Sequence, residues 1–496
     1  MNLSTFRAAG LMGLAMTAAS PMAYGQSNGA KPYSSGLIAA QDFRAGRLSL
    51  RASTGAQAEG GPHAEVGCKP APCVLPNVRA SGGTQPVNEN AMVVNPTDKR
   101  SLITTGNDYN CGSVQGIFVS TNKGNSWTQK CMTPLAGASG LGDPVPGYDA
   151  HGNAYVVGIN QLSSGLGVVV IQKSTDNGAT FGAARQAVPA TLGSIADKPW
   201  LEADTNKGSP FKNSLYVSAT QFAGNNDSQI SVSRSRDGGV TWTTVGVSAR
   251  QTFPDVAQFS DLAVGRDGTV YLTYMKCRAN GPTGDCGGTT STMVFHKSTD
   301  GGVTWSAPVT ITTAKLAPDS CGAFYGCLPN TSERMSDIPS VAIDNSTGPN
   351  AGKLYVAMYD FNGGRMQVQV ASSTNGGAAW GAPKLVATAD ATGDQFLPWL
   401  NVSKEGQVGV TWLDRRNDAA NLKYEAFAAF STDGGATYPE NVKLSEVQSD
   451  PNDDGFGGGF MGDYTGNGWA GHTLYMSYMD MRSGTVSQDW VAGSKR

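Results

Sequence analysis

Carboxyl groups and a tyrosine stand at positions in this 496-residue chain where they could do acid–base or nucleophilic chemistry. The candidates are Asp197, Asp337, Asp463 and Tyr464. Crowded carboxyl groups acquire pKa values that differ from one another, so one of them can donate a proton while another accepts one. A tyrosine hydroxyl beside a carboxylate or an arginine can act as a nucleophile or as a proton donor. These four residues are the predicted catalytic set.

A second set of charged residues suits ligand binding. Its members are Lys198, Arg334, Asp414, Arg415, Arg416, Asp480 and Arg482. Arginine can hold a carboxylate through two parallel hydrogen bonds, so the set fits an acidic sugar. The other interpretation is structural, because aspartates at strand ends cap turns and Asp–Arg pairs tie neighbouring units together. It applies to Asp414 with Arg416, to Asp480 with Arg482 and to Asp197 with Lys198.

Two recurring patterns describe the elements that must position these residues. The pattern S-x-[DN]-x-G-x-x-aromatic occurs six times and begins at Ser120, Ser174, Ser235, Ser298, Ser373 and Ser431. Asp-Gly and Gly-Gly between β-forming residues are strong hairpin signals. A short strand rich in β-branched and aromatic residues occurs seven times and ends at Asp108, Asn160, Gln221, Lys276, Asp360, Asp414 and Asp480. The two patterns alternate along the chain, which indicates one repeated unit.

Each unit is predicted to contain four antiparallel strands, and units of this kind are typical of β-propeller blades. The last unit lacks the hairpin pattern, and a strand from before Val87 can complete it. The predicted fold is all-β: a propeller of seven four-stranded blades closed by an N-terminal strand, with six blades as the alternative. The hairpins would mark one face of the ring, and the candidate site residues would gather at the opposite mouth.

The hairpins SRDGGVTW from Ser235 and STDGGVTW from Ser298 resemble the Asp-box of bacterial neuraminidase repeats. Residues 85–490 are similar to the sialidase-like Asp-box propellers. The resemblance implies a carbohydrate-active protein, although the box is a structural turn on a fold that hosts several chemistries. It also implies that Arg415 or Arg416, followed by Tyr464, matches the late arginine and tyrosine of sialidases.

The chain divides into three predicted segments. Residues 1–25 are predicted to be an export signal, with Arg7, the apolar run LMGLAMTAA and the small-residue site at Ala23-Tyr24-Gly25. Residues 26–80 are expected to be a flexible leader, and residues 81–496 to form the propeller. No later apolar run approaches the roughly 20 residues of a membrane span. The formal net charge of −3 does not favour nucleic acid. We therefore predict a secreted or periplasmic monomer.

Eight cysteines fit an oxidising compartment. They form four close couples, predicted to be disulfides: Cys68/Cys73, Cys111/Cys131, Cys277/Cys286 and Cys321/Cys327. Zinc is disfavoured, because no couple has CxxC spacing and the chain has four histidines. No cofactor is predicted. The acidic stretch with Asp450, Asp453 and Asp454 has two interpretations, a structural calcium loop and a solvated loop.

Two functions from different classes fit these observations. The first is an exported enzyme, a sialidase-like glycoside hydrolase or a polysaccharide lyase, that cleaves a glycan containing sialic or uronic acid at the central mouth. Hydrolysis needs a proton donor and a nucleophile or base, whereas a lyase needs a base and a group that neutralises the sugar carboxylate. The alternative is a propeller that binds glycan or protein without catalysis.

Overall fold

The computed structural model describes residues 31–53, 71–280 and 284–496, and this part of the chain is nearly all β. One α-helix, α1, spans Ser35–Arg44, and two short 3-10 helices span Gly224–Asn226 and Pro451–Asp453. None of the helices in the described ranges is long and apolar enough to cross a membrane.

The strands form five four-stranded sheets and one nine-stranded sheet within the described ranges. One four-stranded sheet joins two distant parts of the chain: β1 (Cys73–Arg79) pairs with β29 (Gln488–Lys495), followed by β28 (Thr473–Asp480) and β27 (Gly466–Ala470). Another consists of β2 (Val87–Val94), β3 (Leu102–Asp108), β4 (Gly116–Ser120) and β5 (Thr128–Cys131).

The nine-stranded sheet contains two antiparallel groups. The first group comprises β6 (Ser139–Gly140), β7 (Val145–Tyr148), β8 (Ala154–Gln161), β9 (Gly167–Ser174) and β10 (Arg185–Val188). The second comprises β11 (Ile195–Ala203), β12 (Leu215–Phe222), β13 (Ser228–Ser235) and β14 (Thr243–Gly246). A single parallel pair, Ile195 with Gly167, connects the two groups.

The remaining twelve strands form three consecutive sheets. The first consists of β15 (Asp255–Val264), β16 (Val270–Arg278), β17 (Thr290–Ser298) and β18 (Val309–Lys315). The next consists of β19 (Ser340–Ile343), β20 (Leu354–Asn362), β21 (Arg365–Ser373) and β22 (Lys384–Leu385). The third consists of β23 (Gln395–Val402), β24 (Val408–Asp414), β25 (Glu425–Ser431) and β26 (Asn441–Lys443).

Both sequence patterns coincide with strands. Each serine that begins a predicted hairpin is the last residue of a strand, and the seven β-branched segments are β3, β8, β12, β16, β20, β24 and β28. In the hairpin after β13, the Ser235 hydroxyl accepts a hydrogen bond from the Gly239 N–H at 2.9 Å and donates one to Asp237 at 2.8 Å. Gly239 has φ of 86°, which other residues rarely adopt. The polar groups of this turn therefore satisfy one another.

Seven strands, which we call the inner strands, connect neighbouring units through their mutual contacts: β2, β7, β11, β15, β19, β23 and β27. Each of them contacts the next in chain order, and β27 contacts β2. Large apolar side chains fill the space between units, and most of them belong to one continuous core cluster. The loops before and within the inner strands consequently lie close to one another.

The segment expected to be a flexible leader contains regular structure where it is described. Residues 73–79 form β1, and residues 35–44 form α1. Ser34 caps the start of α1, because its hydroxyl accepts a hydrogen bond from the Leu37 N–H at 3.2 Å. Leu37 packs in an apolar cluster with Tyr109 and Phe456. The leader was expected because this segment has no strand periodicity, but burial against distant residues stabilises the helix.

Three of the predicted disulfides are confirmed: Cys111–Cys131, Cys277–Cys286 and Cys321–Cys327. Cys68 lies outside the described residues, so its pairing with Cys73 stays a prediction. In the acidic stretch, Asp450 accepts a hydrogen bond from the Asn452 N–H at 3.0 Å. Asp454 accepts backbone hydrogen bonds from four residues that follow it, Phe456, Gly458, Gly459 and Phe460. Both carboxylates therefore stabilise the loop itself.

Candidate functional site

Irregularities in the inner strands direct charged side chains towards one another. The register of β2 shifts between Asn88 and Ala91, and that of β11 shifts between Asp197 and Trp200. Bulges of this kind re-aim side chains and often occur next to functional sites. Within them, Glu89 and Lys198 have φ values of 56° and 46°. Asp143, just before β7, has φ of 51°.

These irregularities produce a group of buried polar residues that we call the central cluster: Glu89, Asp143, Asp197, Lys198, Arg334, Asp463 and Tyr464. Arg334 is 8% exposed, and each of the others is 1% exposed or less. The Asp463 N–H donates to Glu89 Oε1 at 3.2 Å, and Arg334 Nη2 lies 3.6 Å from Asp463 Oδ2. Residues from five of the seven units therefore meet in one place.

The Lys198 ammonium lies among three aromatic rings. Its Nζ is 4.1 Å from the centroid of the Trp200 ring, 4.8 Å from that of Tyr464 and 5.5 Å from that of Trp399. Aromatic rings attract a cation through their negative faces, most strongly where water is excluded. Burial nevertheless lowers the pKa of Lys198 to about 8, although neighbouring carboxylates, Asp261 foremost, favour its charged form. Below pH 8 the amine is therefore mostly charged, although it is buried.

The start of α1 supplies hydrogen-bond donors to the carboxylates of the cluster. The Ser34 N–H donates to Asp197 Oδ2 at 2.7 Å, and the Ser34 hydroxyl donates to Asp197 Oδ1 at 2.7 Å. The same hydroxyl lies 3.2 Å from Asp143 Oδ2. The Ser35 N–H donates to Asp463 Oδ2 at 3.0 Å, and the Ser35 hydroxyl to Asp463 Oδ1 at 3.3 Å. The helix therefore covers the cluster and connects Asp197 with Asp463.

Gly36 permits this close approach. A Cβ at this position would overlap Glu89 Oε2 and Asp143 Oδ1. Any larger residue would therefore force the start of the helix away from the two carboxyl groups.

Burial dominates the electrostatics of the acidic residues. It raises the pKa of Glu89 well above its ordinary value, and the charges of Asp143 and Asp463 raise it further. Burial and the charge of Asp197 raise the pKa of Asp143. Burial also raises the pKa of Asp197, but the hydrogen bonds from Ser34 oppose that effect. The hydrogen bond between Glu89 and Asp143 raises the pKa of Glu89 and lowers that of Asp143, so Glu89 holds its proton more firmly than Asp143, whose pKa is raised to about 7. The donors around Asp197 favour its anion.

Several donor atoms of the cluster have no hydrogen-bond partner among the described residues: Lys198 Nζ, Arg334 Nε, Arg334 Nη2 and Tyr464 Oη. Burial without a partner is costly, and such atoms in a folded protein call for an explanation. Burial and the surrounding carboxylates raise the pKa of Tyr464 well above its ordinary value, so its hydroxyl keeps its proton. The cluster therefore contains unpaired hydrogen-bond donors, charged ones on Lys198 and Arg334 and a neutral one on Tyr464.

Five predicted site residues meet in the cluster: Asp197, Lys198, Arg334, Asp463 and Tyr464. Asp337 lies beside it. The neighbouring Ser336 hydroxyl donates to the Asp463 carbonyl at 3.2 Å, whereas Asp337 itself accepts from the Tyr359 N–H at 3.0 Å. Burial raises the pKa of Asp337 well above its ordinary value.

The other five predicted binding residues form ion pairs within their own unit. Arg416 Nη2 lies 2.6 Å from Asp414 Oδ2, and Arg482 Nη2 lies 2.8 Å from Asp480 Oδ2. Arg415 Nη1 lies 3.6 Å from Asp394, and burial lowers the pKa of Arg415 to about 10. The guanidinium of Arg482 also stacks on Trp490. These pairs stabilise single units and do not tie neighbouring units together as the structural interpretation expects, although Arg482 also lies 3.5 Å from Glu446 of the preceding unit.

The predicted site set omitted Glu89 and Asp143, the aromatic residues of the cage, and both serines of α1. One recurring signal could have found some of them. A proline comes directly after Asp143, Lys198 and Leu397, each of which has a positive φ. After Lys198 and Leu397 that proline is followed by a tryptophan, Trp200 or Trp399. For Ser34 and Ser35 the sequence contains no comparable signal.

No family model matches the chain, and no curated protein matches it. Solved structures with a similar fold include an ulvan lyase described as a new family of polysaccharide lyase. It has a TM-score of 0.51 and 11% identity over 82% of this chain and 93% of that one. The intramolecular trans-sialidase from Ruminococcus gnavus aligns with a TM-score of 0.47 and 13% identity over 71% of this chain and 96% of that one.

A leech intramolecular trans-sialidase aligns with a TM-score of 0.45 and 11% identity over 66% of this chain. The alignment spans 64% of the leech enzyme's own length. The similarity to the lyase concerns the fold alone, since a fold can host many reactions.

Proposed function

We propose that six units of four strands and the five-stranded group β6–β10 are the blades of a seven-bladed propeller closed by β1. The contacts among the inner strands support this fold, because they run in chain order and include β27 with β2. The pairing of β1 with β29 completes the last unit. The nine-stranded sheet then counts as two blades that touch at the pair of Ile195 and Gly167.

We propose that the central cluster is the active site of an exported carbohydrate-active enzyme that cleaves an acidic glycan. The position of the Ser34 hydroxyl carries this proposal, because one oxygen lies within hydrogen-bonding distance of both Asp143 and Asp197. A glycosidic oxygen or an attacking water needs such a place between two carboxyl groups. Export is supported by the three disulfides within the described residues.

The two carboxyl groups suit different roles. Asp143, which shares its surroundings with Glu89, is the proton donor because burial raises its pKa. Asp197 is the base or nucleophile because the Lys198 N–H and the Gln258 amide, which remain when α1 leaves, donate to its two oxygens at 2.9 Å and 2.8 Å and favour its anion. Acid–base cleavage of a glycosidic bond requires one carboxyl group that is protonated and another that is ionised, so the two neighbouring acids need different pKa values.

Arg334 gives the site its preference for an acidic sugar. Its Nε and Nη2 are buried without a hydrogen-bond partner among the described residues, and they can bind a sugar carboxylate. Lys198 and the Tyr464 hydroxyl add two further donors nearby. In a lyase the same arginine would neutralise the uronate carboxylate while a base removes the neighbouring proton, so the product distinguishes a lyase from a hydrolase.

The test compares two arginines that are both ion-paired and mostly buried. Because α1 covers the cluster, a panel of acidic and neutral polysaccharides is offered to the parent and to Gly36→Val, in which the helix start no longer fits. New reducing ends indicate hydrolysis, and unsaturated uronates indicate a lyase. We expect Arg334→Met in the Gly36→Val background to reduce turnover about 100-fold or more, because it removes a buried charged contact.

Arg416→Met is the matched control, since Arg416 pairs with Asp414 outside the cluster. It should retain turnover per folded molecule. Binding of a glycan without any product would favour the non-catalytic alternative. Equal losses in the two arginine variants, or no product and no binding across the panel, would overturn the proposed function.

A further inference from the structure

Helix α1 lies over the central cluster, and its start donates hydrogen bonds to Asp197 and Asp463. While the helix lies there, Asp197 and Lys198 are fully buried. We propose that α1 is an autoinhibitory plug, a segment that occupies the ligand position and must leave before a glycan can enter. This inference rests on the proposed function and concerns regulation of that same site.

The contacts of the helix start imitate those of a sugar. Ser34 and Ser35 offer two hydroxyls and two backbone N–H groups to Asp197 and Asp463. A polyhydroxylated ring presents hydroxyl donors to carboxylates in a comparable way. The positive end of the helix dipole strengthens this contact with the acids.

The start of α1 pairs with the hydrogen-bond acceptors of the cluster but not with its donors. It supplies donors to the carboxylates, but among the described residues it leaves Arg334 Nε, Lys198 Nζ and the Tyr464 hydroxyl without a hydrogen-bond acceptor, and Arg334 Nη2 with only the ion-pair contact to Asp463 at 3.6 Å. A segment that served the fold alone would be expected to satisfy the polar groups that it covers, because each unpaired buried donor destabilises the folded state. An acidic sugar can provide hydroxyl donors and carboxylate acceptors together. The cluster therefore matches a ligand better than it matches the helix.

The helix is held at its two ends and by the apolar cluster around Leu37, and it belongs to no sheet. Before the helix, the Tyr325 hydroxyl donates to the Pro32 carbonyl at 2.7 Å. At the other end, Arg44 Nε donates to the Gly140 carbonyl at 2.6 Å. Arg44 and Arg47 are exposed. Removal of α1 would leave every strand-to-strand hydrogen bond in place.

The experiment measures access to Lys198 without any glycan. The folded full-length protein is treated briefly with an amine-acylating reagent, and mass spectrometry gives the labelled fraction of Lys198 relative to the exposed Lys404. We expect Lys198 in the parent to be protected. In Gly36→Val we expect its relative labelling to rise at least about tenfold, because the side chain would overlap Glu89 and Asp143.

Gly224→Val is the matched control, since a Cβ at Gly224 meets no atom within 4 Å. It should label like the parent. If Gly36→Val does not fold, the double variant Ser34→Ala/Ser35→Ala serves, because it removes two hydroxyls and adds no bulk. Its Lys198 labelling should also rise about tenfold, as expected for the loss of hydrogen bonds to charged groups.

Two results would overturn the plug. One is labelling of Lys198 in the parent as readily as Lys404. The other is continued protection of Lys198 in a folded Gly36→Val and in the double serine variant. If Lys198 becomes accessible but no glycan is cleaved or bound, the plug stands and the proposed function fails.

Discussion

Replacing Lys198 by methionine should make the protein more stable and, in a plug-released background, less active. The ammonium is fully buried and has no hydrogen-bond partner among the described residues. Methionine has a similar length and no charge, so it can fill the cage of Trp200, Trp399 and Tyr464. Lysine at this position is therefore expected to cost stability in return for a cation in the site.

The pKa of Lys198 gives the size of the effect. Burial lowers it from the ordinary 10.5 to about 8. Each pH unit of difference between the folded and unfolded pKa corresponds to about 1.4 kcal/mol. At pH 7 the charged lysine therefore lowers the free energy of unfolding by about 3 kcal/mol. Between pH 8 and 10.5 the folded state binds fewer protons than the unfolded state, so the stability of the parent should rise with pH.

Urea denaturation at several pH values, followed by tryptophan fluorescence, measures this difference. We expect Lys198→Met to be about 3 kcal/mol more stable than the parent at pH 7, and the advantage to disappear as the pH approaches 10.5. Methionine at the exposed Lys404 should change neither value. A Lys198→Met protein that is less stable than the parent at pH 7 would refute the account of the buried ammonium.

Two further predictions concern the contact between the first and last units. A Cβ at Gly466 would lie 2.5 Å from the backbone nitrogen of Met92, so Gly466→Ala should lower the free energy of unfolding by about 1–3 kcal/mol. Gly224→Ala should leave it unchanged, and equal stability of the two variants in urea would argue against a close contact of β27 with β2. Asp489 accepts a hydrogen bond from the Thr104 hydroxyl at 2.9 Å, and burial raises its pKa from 3.8 to about 8. The pKa of Asp489 is higher in the folded state than in the unfolded state. Its contribution to stability is therefore fully present below pH 3.8 and is lost as the pH rises to about 8. Asp489→Asn should therefore gain stability relative to the parent across that range, and a constant difference in urea titrations would contradict this assignment.

The strands and turns could be predicted because their signals are local. A hairpin such as the one after Ser235 depends on residues within eight positions, and the structure confirms the strand that ends there. Asp197 and Asp463 were predicted because they stand near the starts of strands. Asp143 was omitted because its surroundings, GDPVPG, have the composition of a loop. Its place in the cluster depends on one backbone conformation, φ of 51°, which the sequence indicates only weakly.

The helix was missed for a different physical reason. Its sequence, SGLIAAQDFR, contains small and polar residues that are compatible with a leader, and no local pattern indicates its partners. Those partners lie far away: Ser34 binds Asp197, 163 positions on, and Ser35 binds Asp463, 428 positions on. The carboxyl groups of the cluster are stable in the buried state only while donors satisfy them. The helix start and a ligand would supply donors to the same carboxylate oxygens, so the two would compete. The more tightly the helix start binds these oxygens, the lower the apparent affinity for the ligand.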